Sequence, residues 1–460
     1  MNNNIIGKHI FIQHPKLQEG DIEVVNSYYK KKKKFLEESN LLFSKEIIFR
    51  NINTKEIEKS IYNIKQVVFE TTEKCNLNCV YCAFGDLYSG NEERLKSKRH
   101  LKKEDAIKLL EYLYPIWKAR EQVGLPLKIL IGFYGGEPLL NFPLIEAIVQ
   151  WAKEHTTVHL EFRFQITTNG LLLDKYIVFL VEHDFMTYIS LDGNEKNMEY
   201  RVDHKGKNCF KHVYSNILEA KNNYPDFFNT NVNIMSVLHN RNSVEQTVSF
   251  CMTQFNKIPN CSRLNDSGIA SQKRALFTEM SEVVHQKPSK KTEKAMMKVG
   301  AGLTESIHFL MTFSGFHFYD YNELLYKNKM NNNRRVPTGV CIPFSREVYM
   351  TINGNLYPCE RLDACFSMGN IHDTIVFDIE QITSRLNQYL KNISPSCSIC
   401  ERNYYCDKCL FHIDEIQGNN PKCNNIMNKN KFHEMISSII AICRKHPELY
   451  RKIMKRTIFA

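Results

Sequence analysis

Thr71-Thr72-Glu73-Lys74-Cys75-Asn76-Leu77-Asn78-Cys79-Val80-Tyr81-Cys82 decides how this chain reads. Cys75, Cys79 and Cys82 are spaced C-x3-C-x2-C. Three thiolates can hold three irons of a four-iron cluster, since such clusters are bound by cysteine thiolates. The fourth iron is then open to a small chelating molecule and able to pass it an electron. A zinc finger would use two separated C-x2-C pairs. Tyr81, just before the last cysteine, is placed to cover a ligand's ring. The alternatives are three unrelated core thiols or half of a zinc site. The loop follows Gln66–Glu70, an apolar run that reads as a strand.

Downstream, strand-like and helix-like patterns alternate. Lys103–Ala119 has apolar residues at helical spacing (Ala106, Leu109, Leu110, Leu113), with Pro115 expected to end or kink it. Then come a strand at Lys128–Phe133, a helix at Leu144–Glu154, a strand at His159–Thr167 and a helix at Asp174–Glu182. Phe185–Leu191, Phe210–Asn222, Asn231–Leu238 and Val244–Phe255 continue the alternation, and a sixth strand is expected between residues 258 and 280. Such alternation predicts an α/β fold with a parallel sheet.

Chemistry-bearing residues fall at the strand ends, where β/α barrels place their sites. Gly135-Gly136-Glu137-Pro138 begins 53 residues after Cys82. Its glycines let backbone approach a ligand, and its carbonyls and carboxylate are acceptors suited to an ammonium group. Thr167-Thr168-Asn169-Gly170 ends the third strand; Ser190-Leu191-Asp192-Gly193 ends the fourth, with Arg201 beyond. Hydroxyls, an amide and a guanidinium suit a ribose and a carboxylate. Asp192 reads equally as a general base at the mouth or as the Asx residue of an Asp-Gly turn.

A second cysteine block lies near the C-terminus: Cys341, Cys359, then Cys397-x2-Cys400-x5-Cys406-x2-Cys409, then Cys423. Tyr349–Tyr357 reads as a hairpin with Asn353-Gly354 as its tight turn. On spacing alone this block could also be zinc-ribbon-like.

The composition fits an ordinary globular chain. At 460 residues, one to three domains are expected. Fifteen cysteines without an apolar segment in MNNNIIGKHIFIQHP point to metal in a reducing, cytoplasmic setting. No membrane-spanning run is present. Ten of the cysteines fall in the two motifs; Cys209, Cys251, Cys261, Cys365 and Cys443 read as small core residues. The net charge of +11 and the Lys30–Lys34 run read as solvated surface, or as attraction for an acidic peptide or nucleic acid. No nucleic-acid module stands out.

Together these motifs resemble the radical S-adenosylmethionine superfamily with a C-terminal SPASM extension, of peptide-maturase type. The family loop, C-x3-C-x-aromatic-C, is matched by Cys75, Cys79, Tyr81 and Cys82. The resemblance implies a partial (β/α)6 TIM-like barrel over 65–280 and a helical bridge over 281–335. It further implies a Cys-rich SPASM domain over 336–425 and a C-terminal helix over 426–460. Residues 1–64 remain an extension or a peptide-binding module; within them Gly7–Gln13 reads as a strand and Ile22–Ser39 as a helix. By the same resemblance the first cluster binds S-adenosylmethionine. The implied pocket comprises Gly135, Gly136, Glu137, Thr168, Asn169, Ser190 and Arg201, with backbone near Val237 and Leu238 bracketing adenine. Cys397, Cys400, Cys406 and Cys423 would hold one auxiliary [4Fe–4S] cluster, and Cys341, Cys359 and Cys409 another. That second cluster lacks a fourth thiolate: position 335 is Arg335, so one iron is open or Cys365 fills it. The implied activity is generation of a 5′-deoxyadenosyl radical that oxidatively modifies a peptide or small protein, with a flavodoxin or ferredoxin as reductant. An anaerobic sulfatase-maturing enzyme is the related alternative. A non-enzymatic iron–sulfur or zinc scaffold is a third reading, which an intact Gly-Gly-Glu-Pro segment disfavours.

Overall fold

Gln66–Thr72 (β1, QVVFETT) is buried along almost its whole length, as a strand covered on both faces must be. It is the centre of a sheet in a computed structural model of the chain. The structure describes residues 48–90, 92–121, 126–266, 268–282, 334–337, 341–362, 364–372, 374–403, 406 and 408–434, with 5–6, 9–10, 31, 34, 38 and 437. Of the expected Ile22–Ser39 helix, Lys31, Lys34 and Glu38 are described and helical. Most of the helical bridge, Cys443 and most of the Lys431–Met454 helix lie outside the described residues; at the bridge's end Arg334–Arg335 form a short strand.

The chain divides into two compact units. One comprises Asn53–Thr292 with Cys341–Ser384, the other Met1–Ile52, Glu293–Val340 and Arg385–Ala460. The boundary at residue 384 falls inside the stretch expected to form one cysteine-rich domain.

The first unit holds the β/α repeats. After β1 come β2 (Leu127–Gly135), β3 (Leu160–Thr168), β4 (Met186–Ser190), β5 (Val232–Leu238) and β6 (Asn260–Arg263), all pairing in parallel and in sequence order. The helices are α1 (Thr54–Tyr62) before β1, then α2 (Glu92–Ser97), α3 (Lys103–Lys118), α4 (Phe142–His155), α5 (Leu173–Glu182), α6 (Phe210–Asn223), α7 (Pro225–Asn231) and α8 (Val244–Phe255) between the strands, and α9 (Arg274–Ser281) after β6. The six strands form an open sheet, with the sixth where the sequence suggested it. Pro115 does not end α3, which continues to Lys118. The core is aliphatic and aromatic: Trp117, Phe133, Phe185 and Phe255 are almost fully buried.

Three more strands extend the same sheet past β1: β7 (Val348–Met350), β8 (Asn355–Tyr357) and β9 (Gly369–Asn370). β7 pairs in parallel with β1, Val348 opposite Val67. β7 and β8 form the expected hairpin, but its turn differs from the expected two-residue Asn-Gly turn. Gly354 donates its N–H to the Thr351 carbonyl at 2.9 Å and has φ +74°. The turn is therefore Thr351–Gly354, with the glycine in the left-handed position that closes a longer loop. A Cβ there would lie 2.7 Å from the Ile371 side chain.

In the second unit, Asn387 exchanges hydrogen bonds with the Ile52 backbone, both at 2.8 Å. Cys397 lies near the end of α10 (Ile379–Ser398). The Cys400 N–H bonds to the Cys397 carbonyl at 3.2 Å.

Candidate active site

The cysteine loop leaves β1 at its carboxyl end and is stitched down from two sides. Asn78 and Val80 donate backbone N–H groups to the carbonyls of Val202 (2.7 Å) and Tyr200 (3.0 Å). His204 Nε2 lies 2.8 Å from the Cys75 carbonyl. On the other side the Gly-Gly-Glu segment ending β2 docks on the stem of the loop. Gly136 donates to Thr72 and Glu137 to Lys74, each at 2.8 Å. A Cβ on Gly136 would lie 2.1 Å from the Lys74 carbonyl oxygen, and one on Gly135 2.6 Å from that of Thr72. These two glycines thus serve a close backbone-to-backbone approach within the protein.

The donor set fits an iron–sulfur cluster. Cys75, Cys79 and Cys82 are free, partly exposed thiols on one short loop. Leu77 N–H (3.4 Å) and the Asn169 side-chain amide (3.7 Å) both point at Cys75 Sγ, and hydrogen bonds to cluster sulfurs are a means of tuning such a group. Burial pushes the Cys75 thiol up to about 12 and the Cys79 and Cys82 thiols up as well. A metal is what would stabilise three such thiolates together.

The residues expected around a cofactor are gathered at the same strand ends, but several are already engaged with each other. The Glu137 carboxylate is fully buried. It accepts from Leu139 N (3.1 Å), Thr168 Oγ1 (2.8 Å) and Asn169 N (2.8 Å). Burial pushes it up to about 7 and these donors pull against that. Its carboxylate ties β2 to β3, so of this segment's acceptors the backbone carbonyls are better placed for an ammonium group. The Asn169 amide also donates to Asn76 Oδ1 at 2.7 Å and so braces the cysteine loop. Ser190 is half-buried at the end of β4, and Leu238 is buried at the end of β5.

Asp192 is the hub of this region, and the idea of a general base at an open mouth needs correcting. It has no exposed surface. Arg201 forks onto it, Nε to Oδ2 at 3.0 Å and Nη2 to Oδ1 at 3.2 Å. Val237 N–H donates to Oδ1 at 2.9 Å, and the Tyr81 hydroxyl donates to Oδ2. Burial pushes the acid up, but Arg201 and the surrounding donors outweigh it and hold Asp192 down at about 2. A carboxylate so saturated is a poor proton acceptor. It positions Tyr81, Arg201 and β5. Arg201, expected to meet a ligand carboxylate, here spends its fork on Asp192.

The sequence reading missed several neighbours. His239 is fully buried, with Nε2 3.6 Å from Asp192 Oδ2 and its ring 5.6 Å from that of Tyr81. Asn242 and Thr247 bond the Asp192 carbonyl at 3.2 and 3.0 Å. The signal was available in the polar run His239-Asn240-Arg241-Asn242 just after an apolar strand. Beyond the loop, Leu87 and Tyr88 pack with Tyr81, Ile269 and Met280.

The C-terminal cysteines are divided between the two units. Cys359 follows β8 and is half-buried, while Cys341 is exposed. Cys397 and Cys400 are buried, and Cys406, Cys409 and Cys423 are partly exposed. Met427 N–H points at Cys400 Sγ at 3.4 Å. Cys365 is exposed.

Residues 69–251 match the model of the radical SAM superfamily. The chain is 30% identical over 186 residues to the radical SAM cyclopropyl synthase TigE of Paramaledivibacter caminithermalis, covering 39% of this chain and 37% of that protein. It is 27% identical over 159 residues to a cysteine-type anaerobic sulfatase-maturating enzyme of Clostridium novyi, covering 34% of this chain and 40% of that enzyme. The matched segments thus span about two fifths of these relatives. In fold it is similar to native anSMEcpe with bound AdoMet, with TM-score 0.54 and 18% identity over 84% of this chain and 98% of that one. Among the described residues no helix is long and apolar enough to cross a membrane. The cysteine loop, the docked Gly-Gly-Glu segment and the parallel sheet agree with the match of residues 69–251 to the radical SAM superfamily.

Proposed function

We propose that the protein uses a [4Fe–4S] cluster and S-adenosylmethionine to modify a peptide or small protein oxidatively, as in the maturation of ribosomally made peptides by thioether or carbon–carbon crosslinking. Cys75, Cys79 and Cys82 would hold the cluster. When bound, the pair supplies hydrogen-abstracting chemistry, and the protein supplies position and shelter. Gly135, Gly136 and Glu137, through backbone, and Ser190, Thr168 and Leu238 border the cofactor; Tyr81, Asn169 and Arg201 hold that border in shape around Asp192. Cys397, Cys400, Cys406 and Cys423 are proposed ligands of one auxiliary cluster, and Cys341, Cys359 and Cys409 of a second. A flavodoxin or ferredoxin would deliver the electron, in the cytoplasm.

The observation that carries this reading is the cysteine loop, held between the Gly-Gly-Glu segment and Tyr200–Val202 with two N–H donors aimed at Cys75 Sγ. Replacing Cys75, Cys79 or Cys82 by alanine should abolish 5′-deoxyadenosine formation from S-adenosylmethionine. Retained formation in any of the three would refute the assignment. A sulfatase-maturing activity is the second reading, favoured by the similarity to the Clostridium novyi enzyme. A peptide carrying a sulfatase-type cysteine or serine, converted to formylglycine, would select it; conversion of a cysteine-containing precursor peptide to a crosslinked product would select the first.

A further inference from the structure

We propose that the basic face around the stem of the cysteine loop is the docking surface for an acidic one-electron carrier protein of the flavodoxin or ferredoxin class. The proposal rests on reading Cys75, Cys79 and Cys82 as ligands of a cluster that is reduced from outside. The inner side of the loop is occupied: Tyr81 donates to Asp192 and packs with Leu87, Tyr88 and Ile269. Its outer side carries exposed lysines. Lys74 is exposed immediately before Cys75. Lys96, Lys98, Lys102 and Lys103 are exposed on the segment running from the end of α2 to the start of α3.

That segment is fastened to the stem of the loop. Glu73 donates its N–H to the Arg99 carbonyl and Leu101 donates to that of Thr71, each at 2.9 Å. Thr72 Oγ1 donates to the Arg99 carbonyl at 3.0 Å. The Glu73 carboxylate accepts from Ser97 Oγ at 2.6 Å and from Arg99 N at 2.9 Å. The backbone that carries the lysines is therefore fixed beside Cys75. Arg94 and Arg99 are neutralised by Glu70 and Glu73. Among the described residues none of the five lysines has such a partner. Glu104 and Asp105 follow in the first turn of α3, where the helix N-terminus favours them; the face still keeps an excess of positive charge. On the other flank the exposed His204 has Nε2 2.8 Å from the Cys75 carbonyl. Lys205 and Lys207 are exposed on the same turn, which Asp203 closes by accepting from both their N–H groups at 2.8 and 2.9 Å.

A positive face attracts and orients an acidic protein. Electron transfer weakens steeply with the distance between redox groups, and a carrier seated here lies over the loop that holds the cluster. One electron leaves the reduced carrier and enters the oxidised cluster; no bond forms or breaks. An acidic substrate peptide fits this face less well, because its reacting residue has to reach the cofactor border at Gly135 and Ser190.

The test uses the anaerobically reconstituted full chain as wild type and as three variants. Lys96→Glu with Lys102→Glu and Lys103→Glu reverses one flank, and Lys205→Glu with Lys207→Glu the other. Lys118→Glu with Lys128→Glu and Lys153→Glu makes the same charge change as the first set, but at the end of α3, the start of β2 and the end of α4. Binding of a flavodoxin and of a ferredoxin is measured by calorimetry from low to high salt. Formation of 5′-deoxyadenosine is followed with each reduced carrier and with dithionite. The wild type should bind a carrier with a Kd that rises with salt. Each flank variant should weaken that Kd about tenfold at low salt and slow carrier-driven turnover, while keeping the wild-type rate with dithionite. The remote set should bind as the wild type does. The second flank variant keeps the test open if the first fails to fold. The proposal is overturned if the wild type binds neither carrier, or if the flank variants bind as the wild type does. It is also overturned if the remote set weakens binding equally, since net charge alone then explains the attraction. Lost affinity for a poly-glutamate peptide with unchanged carrier binding would assign the face to an acidic substrate and overturn it too. The underlying cluster reading fails separately, by a wild type that gives no 5′-deoxyadenosine with dithionite.

Discussion

Asp192 shows what a single residue does here. Its buried carboxylate holds the Arg201 fork, the Tyr81 hydroxyl and the Val237 N–H. Removing one partner of a buried ion pair leaves an uncompensated charge, so Asp192→Ala should lose about 3–5 kcal/mol of stability, measured by urea unfolding. The pair also sets a pH dependence. Asp192 sits at about 2 in the fold against an ordinary value of 3.8. Its contribution is therefore present above pH 4 and lost as pH falls from 4 through 2. The loss is about 2 kcal/mol, and Asp192→Ala should flatten that limb of the stability profile. The Ser-Leu-Asp-Gly run marked this position in the sequence, but not its role. Base and turn residue looked alike until Arg201 and Tyr81 were seen to converge on it, because the Tyr81 contact links residues 111 apart. The polar run His239-Asn240-Arg241-Asn242 after β5 marked a candidate in the same way, but the place of His239 beside Asp192 and Tyr81 again depends on contacts between residues far apart in sequence.

At the scale of elements, the strand-then-helix rhythm was legible because each strand is a short apolar run and each helix a periodic one. The six parallel strands and the placement of the motifs at their carboxyl ends follow from that rhythm. The role of the Gly-Gly-Glu segment was only half legible. Its glycines are required by Thr72 and Lys74 of the same chain, a contact between adjacent strand ends that local sequence does not state. Gly136→Ala should force the segment off the loop stem, costing about 1–3 kcal/mol as an overpacked contact does. The cost should appear as a lowered thermal midpoint, together with poorer iron retention. An unchanged midpoint and iron content would show that the backbone approach is not needed. Illegible altogether was the pairing of β7 with β1, since partners such as Val348 and Val67 lie far apart in sequence. The buried Glu70 marks that junction, accepting from Ile352 N–H at 3.1 Å and pairing with Arg94.

At the scale of the molecule, residues 348–370 are not simply part of an appended module: β7, β8 and β9 extend one edge of the open sheet. A chain ended at Val340 would expose the β1 edge and the buried face of Val67–Phe69, an invitation to edge-to-edge association. Such a truncation should elute as aggregate in size-exclusion chromatography; a stable monomer would show the hairpin to be dispensable. Cysteine spacing suggests metal ligands in this region but says nothing of its part in the sheet, because ligand spacing and strand pairing are separate constraints on the same residues. The most direct test of the central claim is made on the anaerobically reconstituted full chain. Iron and sulfide are counted, dithionite and S-adenosylmethionine are added, and 5′-deoxyadenosine is measured. About twelve irons, three four-iron clusters, together with 5′-deoxyadenosine, are the predicted result; a chain that takes up no iron and releases no 5′-deoxyadenosine would contradict it.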